Sequence, residues 1–366
     1  MQQSGGLELC EPTNVRASEQ IPRILMVSSS QLREKNGGTN RPVGLMNALR
    51  RRYVVDFLST HGFSSIGLFG VLSRVLKRRR YDIIYSHQDS ALWCGIFTFF
   101  HGNYRLVFDC HGNPLEESKC NPFISPLNRT LNPYLRGHLP MYLSDAIVTP
   151  SMELYEHYRR KKFITFVPNG IDPSEFYPEK KSDEIAHLIK LQGKTVIAFT
   201  CPRNFYANLI AFNLLAKTAK LLPSVAFLIF GGGPIIPAPQ NIIFLDYVED
   251  LRRYINFADV CIMPYANIGI TCGGSRNKLL EYWACAKPTI STLEGVRGIP
   301  EARNNEHFYL VDDNPKAIAS GIVDLINDQS LMSKLSENCF SLVKRKYTWD
   351  RQAEKVESVI RRLVDK

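Results

Sequence analysis

At 366 residues the chain is long enough for two domains of about 150 residues, each with its own core. A 45% hydrophobic share with 22% charged residues excludes wholesale disorder, collagen and coiled coil. A formal net charge of +10 points to an anionic partner without choosing among nucleotide, nucleic acid and membrane.

The first 20 residues are polar, carry Gly5, Gly6 and Pro12, and read as a loose tail without the apolar stretch of a signal peptide. Ile24 to Val27 is an apolar run of the kind that buries both faces of a parallel strand. A serine-rich turn and Gly37-Gly38 follow, then a helix over Pro42 to Arg52. Tyr53 to Leu58, Tyr81 to Ser86 and Arg105 to Phe108 read as further strands separated by helical stretches. That alternation predicts a doubly wound parallel sheet. The longest apolar run, Ala91 to Phe100, is about ten residues, against roughly 20 for a membrane span, so a cytoplasmic protein is expected.

Pro168-Asn169-Gly170-Ile171-Asp172-Pro173 is turn-rich, and the charged segment Pro178 to Lys194 marks a boundary. The pattern then restarts. Strands are predicted over Thr195 to Thr200, Val225 to Phe230 and Val260 to Pro264, with helices at Asn208 to Leu221, near Val248 to Asn256, and at Arg276 to Cys285. Trp349 to Leu363 is an amphipathic helix. The expected organisation is a tail over 1–20, an α/β domain over 21–180, a second over 181–346, and a terminal helix within 347–366 that crosses back to the first domain. Two such sheets would face a cleft at their strand carboxyl ends, where open α/β sheets bind ligands.

Nine cysteines without a CxxC pair or zinc-ligand spacing read as reduced structural thiols. No Asp-x-Asp occurs, and neither a metal nor a cofactor is expected. A full G-x-G-x-x-G follows neither Gly37-Gly38 nor Gly231-Gly232-Gly233, which disfavours a nicotinamide or flavin enzyme. Gly37 and Gly38 lie between a strand and a helix, where backbone N–H groups meet an anion in one reading and form an ordinary turn in the other.

Gly273-Gly274-Ser275-Arg276-Asn277-Lys278-Leu279-Leu280-Glu281-Tyr282 is the most informative segment. Ser275 is a natural N-cap, and Lys278 and Glu281, three apart, share a helix face. First-turn N–H groups with the Lys278 ammonium suit a diphosphate, and Glu281 one turn deeper suits vicinal hydroxyls such as a ribose. A surface ion pair is the plainer reading, weakened by the apolar neighbours Leu279, Leu280 and Trp283. Arg203 follows a predicted strand and offers a second positive charge to a phosphate. His111 follows another and would polarise or hold a hydroxyl, while Asp109 is a weaker candidate. Basic clusters at Arg50-Arg51-Arg52, Lys77-Arg78-Arg79-Arg80 and Arg159-Arg160-Lys161-Lys162 fall in the first half. Each alone is a solvated helix face; three together point to an anionic membrane surface or an anionic acceptor. No aromatic-basic platform supports nucleic acid.

These residues resemble the retaining glycosyltransferases of family 4, with the two-domain GT-B fold of facing Rossmann-like sheets. Val167-Pro168-Asn169-Gly170-Ile171-Asp172 is similar to the family's interdomain signature, Gly37-Gly38 to its first glycine loop, and Phe230-Gly231-Gly232-Gly233-Pro234 to its second-domain glycine turn. Lys278-Leu279-Leu280-Glu281-Tyr282-Trp283-Ala284 with Lys287-Pro288 resembles its donor-binding helix, and Tyr347-Thr348-Trp349 the start of its last helix. Three departures stand out: Gly273 where the family often has a paired Glu; Pro202 and Ala207 near where it usually has Arg and Lys, with Arg203 a partial substitute; and Ala286 and Asp246 where Gly is common.

The resemblance implies transfer of a sugar from a nucleotide-sugar co-substrate to a glycan or lipid-linked acceptor, with retention and without a metal. It implies donor contacts from Gly37, Gly38, Arg276, Asn277, Lys278, Leu279 and Glu281, and catalytic roles for His111, Lys278 and Arg203. The alternative is a nucleotide-sugar binder of the same fold without transfer activity, for which Gly273 speaks.

Overall fold

Strands without polar alternation must be covered on both faces, and this requirement organises both halves of the chain. The computed structural model describes residues 7–8, 21–29, 40–61, 63, 65–112, 125, 127, 131, 133–202, 206–233, 237–246, 248–267 and 276–365. They divide into two units, one running through Gly170 and resuming at Trp349, the other covering most of Ile171 to Thr348.

The first unit carries strands β1 (Leu7–Glu8), β2 (Arg23–Ser28), β3 (Val54–Ser59), β4 (Ile83–His87), β5 (Arg105–Asp109), β6 (Ala146–Thr149) and β7 (Ile164–Phe166). Its helices are α1 (Asn40–Leu49), α2 (Ser65–Arg78), α3 (Ala91–His101), α4 (Leu139–Leu143), which continues a π-helical turn Tyr134–His138, and α5 (Met152–Tyr158). The sheet order is β1-β3-β2-β4-β5-β6-β7; β1 is antiparallel to β3 and every other pairing is parallel. Period-two alternation splits β2 between two cores. Ile24 and Met26 pack with Leu45 and Leu49 of α1, whereas Leu25 and Val27 pack with Leu68 and Leu72 of α2 and Phe97 of α3.

The second unit holds β8 (Val196–Thr200), β9 (Ala226–Phe230), β10 (Ile242–Leu245), β11 (Val260–Met263), β12 (Thr289–Ser291) and β13 (Tyr309–Leu310). Its helices are α6 (Asp183–Leu188), α7 (Tyr206–Ala219), α8 (Leu251–Phe257), α9 (Asn277–Ala284), α10 (Pro315–Asn327) and α11 (Gln329–Lys346). The sheet is wholly parallel in the order β10-β9-β8-β11-β12-β13, the arrangement of a dinucleotide-binding α/β sheet. The order reverses between β8 and β11 here, and between β2 and β4 in the first unit. Loops at the carboxyl ends of those strands part and leave room for a ligand.

The terminal helix α12 (Trp349–Val364) belongs to the first unit, where Ala353, Val356, Val359, Ile360 and Leu363 join the α1 side of the core. Trp349 fixes its start. A Cβ on Gly44 of α1 would collide with the Trp349 indole, and one on Gly170 would lie 2.8 Å from it, so bare backbone at both positions makes the slot for this ring.

The short strands β7, β10 and β13 escape prediction from sequence, since two to four residues carry too little pattern. The expected tail contributes β1, with Leu7 opposite Leu58. The helix predicted from Pro42 begins at Asn40 and stops at Leu49, and the one predicted from Arg276 begins at Asn277.

Candidate functional site

In the first unit the parallel register sets His87, the last residue of β4, beside Asp109, the last of β5. Arg41 of α1, 2% exposed, donates from Nε to both Asp109 oxygens at 2.9 and 3.0 Å. Its Nη1 reaches the Val167 and Pro168 carbonyls at 2.9 and 3.2 Å and Asn169 Oδ1 at 3.1 Å. The Tyr85 hydroxyl donates to Asp109 Oδ2 at 2.7 Å. Burial raises the Asp109 carboxyl, but Arg41, His111, His87 and the Tyr85 hydrogen bond outweigh it and hold the group below its ordinary value. Asp109 is therefore an ionised, wholly buried partner of Arg41.

His111, just beyond β5, is 27% exposed at its side chain. Its backbone N–H donates to Gln88 Oε1 at 3.3 Å, and its Nε2 lies 3.1 Å from His87 Nδ1. Burial pushes the His87 imidazole down to about 3, with Asp109 pulling it back up only in part, so this ring is neutral. Ser90 braces the turn after β4 by donating to the Val27 and His87 carbonyls at 3.0 and 2.7 Å.

In the second unit the site gathers at the strand-order reversal. Lys278 of α9 sends Nζ to the Thr200 carbonyl at the end of β8, to Asn208 Oδ1 on α7, and to the Tyr265 hydroxyl after β11, at 2.7, 2.9 and 2.7 Å. These are all three donors of an ammonium. Arg276, the N-cap of α9, donates from Nη2 to Glu294 Oε1 at 2.8 Å and lies 3.9 Å over the Tyr265 ring. Arg297 holds the other Glu294 oxygen at 2.7 Å. Behind this cluster Gly231 has φ +109°, and a Cβ there would meet Pro202 N at 2.8 Å, so the turn after β9 tolerates only glycine.

Glu281 stands one turn along from Lys278 and is only 8% exposed, yet among the described residues its carboxylate accepts no hydrogen bond. Burial raises it to about 7, Lys278 opposes that and Glu175 adds to it. A nearly buried carboxylate without donors is costly in isolation and keeps its acceptor capacity unused.

Residues 32–175 match the model described as Glycosyltransferase Family 4, and residues 196–328 match that of Glycosyl transferases group 1. Each stretch contains one of the two clusters. The chain belongs to glycosyltransferase family 4.

This glycosyltransferase is 22% identical over 329 residues to an uncharacterised glycosyltransferase of Methanocaldococcus jannaschii, covering 83% of this chain and 79% of the relative. It is 20% identical over 299 residues, 75% of each chain, to the Escherichia coli UDP-Gal:alpha-D-GlcNAc-diphosphoundecaprenol alpha-1,3-galactosyltransferase. In fold it is similar to the Anabaena protein HepE solved with UDP-glucose, with a TM-score of 0.70 at 14% identity over 93% of this chain and 99% of that one. Two Rossmann-like units of parallel sheet give the glycosyltransferase the GT-B architecture.

Of the residues singled out from sequence, Arg276, Lys278 and Glu281 converge in one unit and His111 stands in the other. Gly37, Gly38, Arg203, Gly273 and the N-cap candidate Ser275 lie outside the described residues. Lys278, expected to meet a diphosphate, has its three donors on protein acceptors in this structure. Leu279 is wholly buried and its N–H bonds the Arg276 carbonyl, which makes it core. Asn277 opens α9 half-buried. Arg41, His87, Tyr265 and Glu294 were missed. Only Arg41 carried a signal, standing directly before Pro42 at a helix start after a glycine loop.

Proposed function

We propose that this glycosyltransferase transfers a sugar from a nucleotide-sugar donor to a glycan or lipid-linked acceptor with retention at the anomeric carbon, without a bound metal. The observation that carries the donor half is Glu281, an almost buried carboxylate without hydrogen-bond donors among the described residues, set one turn from Lys278 at the strand-order reversal. Vicinal ribose hydroxyls supply the two donors it lacks. Arg276 and Arg297 pair with Glu294, Lys278 stands one turn from Glu281, and the excess of three cations over two carboxylates stabilises the diphosphate as the bond to the sugar breaks. The sugar C1–oxygen bond to the diphosphate opens, the acceptor oxygen bonds C1 on the same face, and the acceptor proton passes to the departing phosphate oxygen. Roles for His111 at the sugar and acceptor, and for Arg203, Gly37 and Gly38 at the anion, rest on the family resemblance of the sequence. UDP-sugars are the first donors to test, since the E. coli relative is named for UDP-Gal.

A membrane-proximal acceptor is supported by the first unit's surface. Phe99 and Phe100 of α3 are 70% and 73% exposed, and Tyr134, Leu135, Leu139 and Tyr142 are exposed along the π-turn and α4 that pack with α3. The Lys162 ammonium lies 5.0 Å from the Tyr142 ring centre, joining this apolar surface to the basic run Arg159-Arg160-Lys161-Lys162. Aromatic rings beside cations fit an anionic lipid interface. Among the described residues no helix is long and apolar enough to cross a membrane.

The test is a panel of UDP-, GDP-, ADP- and TDP-sugars with EDTA present, read by thermal stabilisation and by product formation on acceptor extracts. One donor should raise the midpoint and lose that effect in Glu281→Gln, and the product should keep the donor's anomeric configuration by NMR. Donor binding that survives Glu281→Gln, a product of inverted configuration, or turnover abolished by EDTA would each remove the corresponding part. Flotation with anionic vesicles at low salt tests the surface, with neutral vesicles as control. Failure to float ends the membrane reading.

A further inference from the structure

The His87–His111 contact holds two imidazoles whose facing nitrogens are 3.1 Å apart, and one proton must lie between them. If it belongs to His111 Nε2, then neutral His87 carries its own proton on Nε2. That atom is buried without a hydrogen-bond partner among the described residues, so a donor would be left unpaired. If the proton belongs to His87 Nδ1, Nε2 keeps only a bare lone pair, a lesser cost. Ionised Asp109 lies 3.6 Å from His87 Nδ1 and 3.8 Å from His111 Nε2, so its field acts on both nitrogens, and it is the unpaired Nε2–H of the first arrangement that decides for the second.

We infer that His87 is a positioning residue: it donates from Nδ1 to His111 Nε2 and so confines neutral His111 to the tautomer protonated at Nδ1. The Nε2 lone pair of His111 is then already used, and that nitrogen does not take the acceptor proton as a base. The consequence for turnover rests on the proposed transfer reaction; the tautomer itself does not.

The tautomer is read without substrate, by two-bond nitrogen–proton NMR of the full chain labelled at histidine, with the His111 signal assigned by its loss in His111→Gln. Wild type should show the Nδ1–H pattern at His111. His87→Leu should release the ring to the Nε2–H form that dominates free imidazole, and His87→Asn, whose amide N–H can occupy the place of Nδ1–H, should restore the Nδ1–H pattern. With an active donor in hand, His87→Leu should lower kcat about tenfold at near-constant donor KM, and His87→Asn should recover most of it. An Nε2–H pattern in wild type, or one unchanged between wild type and His87→Leu, overturns the inference. So does saturable zinc binding that shifts both rings, which would make His87, Asp109 and His111 a metal site. Should His87→Leu fail to fold, wild type and His87→Asn still decide, since both must show Nδ1–H. Absence of turnover with every donor would count against the transfer reaction and leave the NMR result standing.

Discussion

The two clusters solve the problem of buried charge in opposite ways. In the first unit Asp109 is wholly buried and fully answered, by Arg41 on both oxygens and by Tyr85, so its charge is part of the scaffold. In the second unit Lys278 and Arg276 are answered by protein groups, but Glu281 keeps a nearly buried carboxylate with no donors among the described residues. A satisfied charge fixes geometry, and an unsatisfied one stores a preference for whatever arrives with hydrogen bonds. The unit with the unsatisfied carboxylate is thus where binding energy is to be sought.

The strongest way to break this contrast is Arg41→Met. It leaves Asp109 ionised and unpaired in the core and also removes the ties to Val167, Pro168 and Asn169, so the expected loss is roughly 3–5 kcal/mol. Denaturant unfolding of variant and wild type measures it; a loss below about 1 kcal/mol would mean the pair is no more than a surface ion pair.

Glu281→Gln should act in two directions. Donor affinity should fall about 10- to 100-fold, because a carboxylate acceptor for two hydroxyls becomes an amide. The ligand-free protein should gain on the order of 1–3 kcal/mol at pH 8, because a desolvated charge is gone. The sign follows from burial raising the carboxyl to about 7, above its ordinary 4.5. The folded state then binds the proton more tightly than the unfolded one, and stability declines as pH rises between those values. Ribose hydroxyls favour the ionised form, so wild-type donor affinity should weaken as pH falls through about 7, up to tenfold per unit. Calorimetric titrations at several pH values check this, and the dependence should vanish in Glu281→Gln.

The smallest effect concerns the end of α9. Ala286 has φ +52°, and the Ala286 and Lys287 N–H groups return to the Trp283 and Tyr282 carbonyls at 3.0 Å each, a helix stop in which glycine is preferred. Ala286→Gly should stabilise the protein by about 0.5–1 kcal/mol by relieving the left-handed alanine, without moving donor affinity. A loss of stability in thermal unfolding would contradict that account.

How much of this was legible beforehand differs between the two sites. Lys278 and Glu281 are three apart on one helix, so their shared face follows from helical geometry alone. What Lys278 touches does not: Asn208 is 70 residues away and Tyr265 is 13 away, on α7 and after β11. The first-unit cluster is less legible still, because Arg41 and Asp109 are 68 residues apart and His87 and His111 are 24 apart. Only the parallel pairing of β4 with β5 sets His87 beside Asp109.

The sequence by itself determined the repeated β-α-β pattern, the turn-rich join at Pro168 to Pro173, and the helix that carries Lys278 and Glu281, because periodicity and turn chemistry are local properties of a chain. Only the tertiary structure decided that the Lys278 ammonium is spent on protein acceptors, that Leu279 is core, and that two histidines share a proton over a buried aspartate. Those outcomes depend on which strand ends become neighbours and how deeply each group is removed from water. Neither quantity exists until the sheets have formed and their helices cover them.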